Sequence, residues 1–238
     1  MSDGFGTIAA GERGLRYVCK VEGSPTVVVD QGQGLSIERS FERSVVIGWA
    51  KVFTEIQKST RIIMHDRAGL GSSDQASPPR TCIEMVDDLR TVLLQARVRP
   101  PYILVGHSIG GFNARVFASR YLQKVVGMVL VDSSHPDQLA RLASILPPEP
   151  ESAEAAPLRA LRYGPDSTLG LEAIDFRACA MQARDVTSIG LKPLVVVSQS
   201  PRALGPPGIP LSVWESMRIV VVPPKPTPAP TLLPSRAR

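Results

Sequence analysis

The feature that most constrains the fold is a serine set between glycines at the junction of a predicted strand and a predicted helix. Residues 102–105 form an apolar run with the length of a buried strand, and residues 112–121 have a helical pattern. Between them stands Gly106-His107-Ser108-Ile109-Gly110-Gly111, which matches G-x-S-x-G. A turn this tight strains the serine backbone, and its glycines let neighbouring chain pass without a clash. The pattern therefore predicts a Ser108 side chain that projects into a cleft.

Strand and helix patterns alternate along most of the chain. Strands are predicted at 16–21, 26–29, 61–64, 102–105, 125–131 and 193–197, and helices at 45–58, 82–96, 112–121 and around 171–184. This order is typical of an α/β fold, a three-layer α/β/α sandwich with a mostly parallel sheet. Ligands of such sheets bind beyond the carboxyl ends of the strands, where the turns at 30–34, 65–74, 106–111 and 132–138 lie.

The charge of the chain is concentrated in its last residues. The net charge is +5, and residues 218–238 contain four basic residues and no acidic one. The remainder is nearly neutral and only 5% of the chain is aromatic, so we expect no nucleic-acid partner. Ten of the 22 prolines lie in 201–238, which predicts an extended or disordered tail over 218–238.

The cysteines and the hydropathy pattern indicate a cytoplasmic protein. Cys19, Cys82 and Cys179 are widely spaced, with no CxxC pair, which predicts buried free thiols in a reducing compartment and no zinc site. No apolar run approaches the ~18 residues that cross a bilayer, and the first residues lack a signal-peptide pattern. We therefore expect no membrane span.

Four blocks of sequence together resemble one family. They are residues 25–34, the 65–74 block with Asp66-Arg67-Ala68-Gly69-Leu70-Gly71, the turn at 106–111, and residues 129–136. The chain resembles the α/β-hydrolase superfamily, in particular its short-lid esterase, lipase and haloperoxidase-like branch, over residues 12–217. The resemblance implies one domain over 1–217, with a short lid at 138–191 and a last strand and helix that are missing or altered. The 65–74 block is expected to be structural, with Asp66 and Arg67 pairing or bonding backbone.

The resemblance assigns roles to residues around the serine. It makes Ser108 the nucleophile of a serine hydrolase, and it places an oxyanion hole in the backbone N–H groups of Ile109 and Gln33. The alternative for the second donor is that Gly32 and Gly34 merely form a turn. The implied substrate is a small molecule with an ester or amide-like carbonyl, and no cofactor or metal is implied.

The remaining members of a catalytic triad are harder to place. The family expects a histidine after the last strand, yet the three histidines are His65, His107 and His135. His107 should point away from the cleft, and His65 ends a strand near its floor. His135 could approach the cleft as a base or be exposed or capping. Asp132 is the candidate acid, and an aspartate at that point is equally often structural.

Two functions from different classes therefore stay open. The first is a serine hydrolase that forms an acyl-enzyme at Ser108. The second is a catalytically impaired homologue, truncated or frame-shifted after residue 217, that binds small apolar molecules at most.

Overall fold

A seven-stranded mixed sheet forms the centre of the fold. The computed structural model describes residues 4–20, 22–42, 48–138 and 172–198. The strands are β1 (Gly4–Ala10), β2 (Arg13–Lys20), β3 (Thr26–Asp30), β4 (Ile62–His65), β5 (Tyr102–His107), β6 (Val125–Val131) and β7 (Leu194–Val197). The helices are α1 (Ile37–Phe41), α2 (Ala50–Ile56), α3 (Cys82–Gln95), α4 (Ile109–Arg120) and α5 (Phe176–Arg184), with a 3-10 turn at Leu122–Lys124.

The strand order is β1-β2-β4-β3-β5-β6-β7, and five of these strands run parallel. β1 and β2 form an antiparallel hairpin, and β2 also pairs antiparallel with β4. The mostly parallel sheet predicted from the sequence is confirmed. β1 was not predicted, because only Ile8 of its seven residues is buried and its hydrogen bonds to β2 define it rather than an apolar pattern.

Helices cover both faces of the sheet, which confirms the three-layer sandwich. Every residue of β3 and β4 is buried, as expected for strands packed on both sides. One face packs against α3, α4 and α5, and its largest buried side chains include Leu93, Leu104, Phe112, Phe117 and Ile174. The other face packs against α1 and α2 through Ile37, Trp49 and Phe53.

Several helix boundaries differ from the predicted ones. Of the helix predicted at 45–58, the structure shows Ala50–Ile56, while residues 43–47 lie outside the described chain. α1 was not predicted; it has five residues, and Ser36 caps it by accepting the Arg39 N–H at 3.2 Å. α4 starts at Ile109, three residues before the predicted start, because Gly110 and Gly111 are helical.

β7 lies at the edge of the described sheet. All four of its residues are exposed, and it pairs with β6. The predictions for the altered last strand and helix, for the 218–238 tail and for most of the 138–191 lid concern residues 139–171 and 199–238, which lie outside the described chain.

Two further observations concern the cysteines and the helices of the described residues. Cys19, Cys82 and Cys179 are buried thiols that form no disulfide, as predicted. None of the helices in the described ranges is long and apolar enough to cross a membrane.

A buried carboxyl group joins the end of β4 to the start of α1. Asp66 follows β4 directly, and its Oδ1 accepts the N–H of Ile37 at 2.6 Å. Burial raises the pKa of Asp66 from 3.8 to about 6, and the hydrogen bond from Ile37 opposes this rise. The carboxylate therefore has a cost in the folded chain that the protonated acid avoids.

We expect Asp66→Asn to remove part of the pH dependence of stability. The folded chain binds the Asp66 proton more tightly than the unfolded chain, so the wild-type free energy of unfolding should fall as the pH rises from about 4 to 6. The neutral asparagine lacks this term. Urea denaturation at several pH values should show that the free energy of unfolding of the variant rises relative to that of the wild type between pH 4 and 6. Above pH 7 the difference between the two proteins should be constant. Parallel curves across that interval would contradict the assignment.

Candidate functional site

Ser108 occupies a strained bend between a strand and a helix. It lies between the last residue of β5 and the first residue of α4, with φ 51° and ψ −120°, a conformation that L-residues rarely adopt. Its N–H donates to the carbonyl of Val131 at 3.3 Å. Its own carbonyl accepts the N–H of Gly111 and that of Ser134, both at 3.0 Å. These bonds fix the bend between the ends of β5 and β6.

Three glycines around the bend are required by close contacts. A Cβ at Gly106 would lie 2.6 Å from the Cα of Gly111, and a Cβ at Gly110 would lie 2.6 Å from the carbonyl carbon of Asp30. A Cβ at Gly111 would lie 2.6 Å from the Cβ of Ser133. Such distances are sterically excluded, so the first turn of α4 packs directly on the end of β3 and on the chain after β6.

The loop after β3 lies beside this bend. A Cβ at Gly32 would be 2.8 Å from Nδ1 of His107, the residue before Ser108. Gly34 has φ +72°, which a turn at this point requires. Gln33 lies between them in the same loop, and Ile109 is the first residue of α4. The fold thus brings the two predicted oxyanion residues to neighbouring segments.

The buried guanidinium of Arg67 is hydrogen bonded to the loop after β3. Arg67 is only 3% exposed, and its Nη1 and Nη2 donate to the carbonyls of Gln31 and Gly32 at 2.7 and 2.9 Å. It also pairs with Asp30 at 2.5 Å and with Glu172 at 2.7 Å. Burial alone would lower the pKa of Arg67, but the charges of Glu172 and Asp30 outweigh it and raise the pKa above its ordinary value. The guanidinium is therefore charged at every physiological pH.

Both carboxylates in this group have a second donor. The other oxygen of Asp30 accepts from Nδ2 of Asn113 at 2.9 Å, and the other oxygen of Glu172 accepts the N–H of Gly34 at 2.6 Å. We call Arg67, Asp30, Glu172 and Asn113 the Arg67 network. Of the two options for the 65–74 block, Arg67 bonds backbone, and it pairs with these carboxylates rather than with Asp66.

Asp132 stands at the end of β6, as predicted. Its φ is 41°, and its N–H donates to the carbonyl of Val197 at 2.7 Å. The side chain lies close enough to His107 for its charge to matter: burial lowers the pKa of His107, and the Asp132 carboxylate opposes that shift. Asp132 therefore lies near the residue that precedes Ser108.

The three histidines have different surroundings. His65 is buried, neither of its ring nitrogens has a partner in the described chain, and burial lowers its pKa. His107 packs against Gly32 and lies 6.2 Å from the ring of Trp49. Nδ1 of His135 accepts the N–H of Asp137 at 3.1 Å. A neutral imidazole with an accepting Nδ1 carries its proton on Nε2, whereas the base of a Ser-His-Asp triad carries it on Nδ1.

A cavity of about 260 Å³ opens beside the bend. Its polar wall includes Asp132, Ser133 and His135, and its apolar wall is formed by residues that include Met128, Leu130, Val186, Ile189, Leu194 and Val196. Within residues 4–20, 22–42, 48–138 and 172–198 no group of His, Cys, Asp and Glu could hold a metal ion.

We expect Ser108→Gly to be more stable than Ser108→Ala. Both variants lose the hydroxyl, but only glycine relieves a backbone strain of about 1–3 kcal/mol. Glycine loses more conformational entropy on folding than alanine, which costs about 0.5–1 kcal/mol. The glycine variant should therefore keep a net advantage of about 1 kcal/mol in its free energy of unfolding. Urea denaturation of both variants measures this difference. An alanine variant as stable as the glycine variant would show that the bend is not strained.

Curated relatives match only part of the chain. It is 34% identical over 107 residues to the uncharacterized protein YqjL of Bacillus subtilis, a match that covers 45% of this chain and 39% of YqjL. It is 37% identical over 90 residues to an AB hydrolase superfamily protein of Gibberella zeae, covering 36% of this chain and 28% of that protein. The matches thus span well under half the length of these relatives.

Solved structures show the same fold over most of the chain. Alpha/beta hydrolase domain-containing protein 10 from mouse has a TM-score of 0.53 at 16% identity, covering 82% of this chain and 89% of that chain. Cfl2 from Burkholderia cenocepacia has a TM-score of 0.55 at 18% identity, covering 81% and 79%. The family model described as the alpha/beta hydrolase fold matches residues 41–190, so the chain belongs to the alpha/beta hydrolase fold family.

Proposed function

We propose that the chain is a serine hydrolase that cleaves ester or amide-like carbonyl compounds through an acyl-enzyme at Ser108. The observation that carries the proposal is the strained backbone of Ser108 at the junction of β5 and α4. Strain of this kind is found where function requires it, and a bend of this type would present the serine hydroxyl at the amino end of the helix. Membership of the hydrolase family supports the same chemistry.

The reaction would proceed in two steps. Oγ of Ser108 attacks the substrate carbonyl carbon, and the carbonyl oxygen becomes an oxyanion before the alcohol or amine leaves with a proton. Water then cleaves the acyl-enzyme by the same route. The N–H groups of Ile109 and Gln33 would donate to the oxyanion, and the amino end of α4 adds a favourable dipole. Each such donor contributes roughly 3 kcal/mol to the transition state.

The proton of Ser108 is the difficult part of this mechanism. Asp132 and His135 are the candidate acid and base, and both line the cavity beside the bend. The N–H of Asp137 on Nδ1 of His135 favours the wrong tautomer, so His135 would have to exchange this bond before it could act. We therefore propose slow turnover. Loss of one triad member still leaves about 10³–10⁴-fold acceleration over water, so weak esterase activity alone is poor evidence for a triad.

The hydrogen bond on Nδ1 of His135 also favours a second candidate function. A homologue without a working base would bind a small molecule without turning it over. The cavity of about 260 Å³ beside Asp132, with a largely apolar wall, could accept an apolar molecule.

Covalent labelling with a fluorophosphonate probe separates the two functions. We expect the folded protein to be labelled at Ser108, because the phosphonate reacts with an activated serine and its oxygen takes the place of the oxyanion. Ser108→Ala should abolish labelling. Ser119→Ala is the matched control, since Ser119 is exposed near the carboxyl end of α4, is not among the residues that line the cavity and should leave labelling intact. Mass spectrometry of tryptic peptides locates the label.

Two further outcomes decide the details. Absence of label on the folded wild-type chain would overturn the hydrolase proposal in favour of the non-catalytic homologue. In a protein that is labelled, His135→Ala should slow the reaction if His135 accepts the Ser108 proton. An unchanged rate would remove His135 from the mechanism.

A further inference from the structure

We propose that Arg67, together with Glu172, is a positioning residue that fixes the 31–34 loop in the conformation that presents the Gln33 N–H to the oxyanion. The inference rests on the proposed function, because the direction of this N–H matters for catalysis only if Ser108 reacts. It extends that function to two residues that touch neither the substrate nor the reacting atoms.

Arg67 sets the direction of the peptide plane between Gly32 and Gln33. Nη2 of Arg67 donates to the carbonyl of Gly32 at 2.9 Å, from the buried side of the loop. A trans peptide is planar, so the N–H of Gln33 points opposite to the carbonyl of Gly32. Arg67 therefore turns this N–H away from the interior. The second bond, from Nη1 to the carbonyl of Gln31 at 2.7 Å, fixes the preceding peptide in the same way.

Glu172 fixes the other end of the same loop. Its Oε2 accepts the N–H of Gly34 at 2.6 Å, and its Oε1 accepts from Nε of Arg67 at 2.7 Å. Gly34 has a positive φ. Glycine adopts positive and negative φ values about equally well, so the hydrogen bond to Glu172 is needed to select one of them. Three backbone groups of a four-residue loop are thus bonded to one ion pair, on either side of Gln33.

The composition of the Arg67 network supports a positional role. Each of its four carboxylate oxygens has a donor, and Arg67 and Glu172 are 3% and 4% exposed. Buried ion pairs contribute little net stability compared with apolar packing, so their geometry is the better explanation for them. The planar guanidinium of arginine bonds two carbonyls and two carboxylates at once. The compact ammonium group of lysine does not reach all four partners.

The chain contains a second buried ion group that serves as a control. Asp88 on α3 accepts from Arg13 at 2.7 and 3.1 Å and also pairs with Arg80, which is 8% exposed. The bonds of this group in the described chain reach no atom of the 31–34 loop. Arg80→Lys therefore makes the same chemical change as Arg67→Lys, at similar burial but away from the loop.

The test measures the kinetics of fluorophosphonate labelling at Ser108 in Arg67→Lys, Glu172→Asp and Arg80→Lys. The first two variants keep the buried charge, so they should fold. We expect their limiting labelling rate to fall roughly 10- to 100-fold while the half-saturating probe concentration stays within about two-fold, because only transition-state stabilisation is lost. Arg80→Lys should keep the wild-type rate even if its melting temperature falls.

Amide hydrogen exchange of the peptide covering residues 31–36, measured on the same samples, gives a readout that does not depend on reactivity. We expect faster exchange in Arg67→Lys and Glu172→Asp than in the wild type and in Arg80→Lys. Glu172→Asp weakens the hydrogen bond to the N–H of Gly34, and Arg67→Lys weakens the hydrogen bonds to the loop carbonyls. Unchanged exchange in all variants would overturn the inference, and so would a wild-type labelling rate in Arg67→Lys and Glu172→Asp. In either case a labelled wild type leaves the proposed function standing. A wild-type chain that is not labelled overturns both.

Discussion

The close approach of α4 to the end of β3 determines the geometry of the whole site. Gly110 has no side chain, and this lets the first turn of the helix rest on the carbonyl of Asp30. The same approach puts Asn113, one turn further along the helix, within hydrogen-bond distance of the Asp30 side chain. One contact between backbones therefore places the helix that follows Ser108 against the loop that contains Gln33. A methyl group at position 110 would separate the two halves of the candidate oxyanion hole.

Buried charge has a different role on each side of this contact. Beneath the 31–34 loop, all four carboxylate oxygens of the Arg67 network accept a hydrogen bond, and the network keeps a guanidinium charged in the interior. Asp66 is bonded to the start of α1 but has its pKa raised by burial. His65 is buried without a partner in the described chain and is therefore neutral. One of the two buried ion groups of the protein thus supports the loop beside Ser108, which is where fixed backbone dipoles are most useful.

The sequence predicted those parts of the structure that depend on short stretches of chain. The apolar runs of β3 and β4 are visible because every residue of these two strands is buried. β5 and β6 also have apolar runs, although some of their residues are only partly buried. The bend at Ser108 was predicted from its glycines. β1 was not predicted because an edge strand needs little apolar character. The predicted start of α4 was three residues too late because glycines usually disfavour helices. At positions 110 and 111 the contacts with Asp30 and Ser133 override that preference.

Longer-range features of the site had no local signal. Glu172 lies 105 residues from Arg67 in the chain, and only the fold brings them together. The tautomer of His135 depends on a backbone N–H two residues away and was equally invisible in the sequence. The assignments of Ser108, Asp132, Gln33 and Ile109 came from resemblance. The structure adds the geometry around them, and their roles remain proposals.

The most direct measurement is a crystal structure of the chain after reaction with diethyl p-nitrophenyl phosphate. We predict phosphorus bonded to Oγ of Ser108, with the phosphoryl oxygen about 2.7–3.1 Å from the backbone nitrogens of Ile109 and Gln33. A phosphoryl oxygen turned towards solvent, or an adduct on another residue, would contradict this prediction.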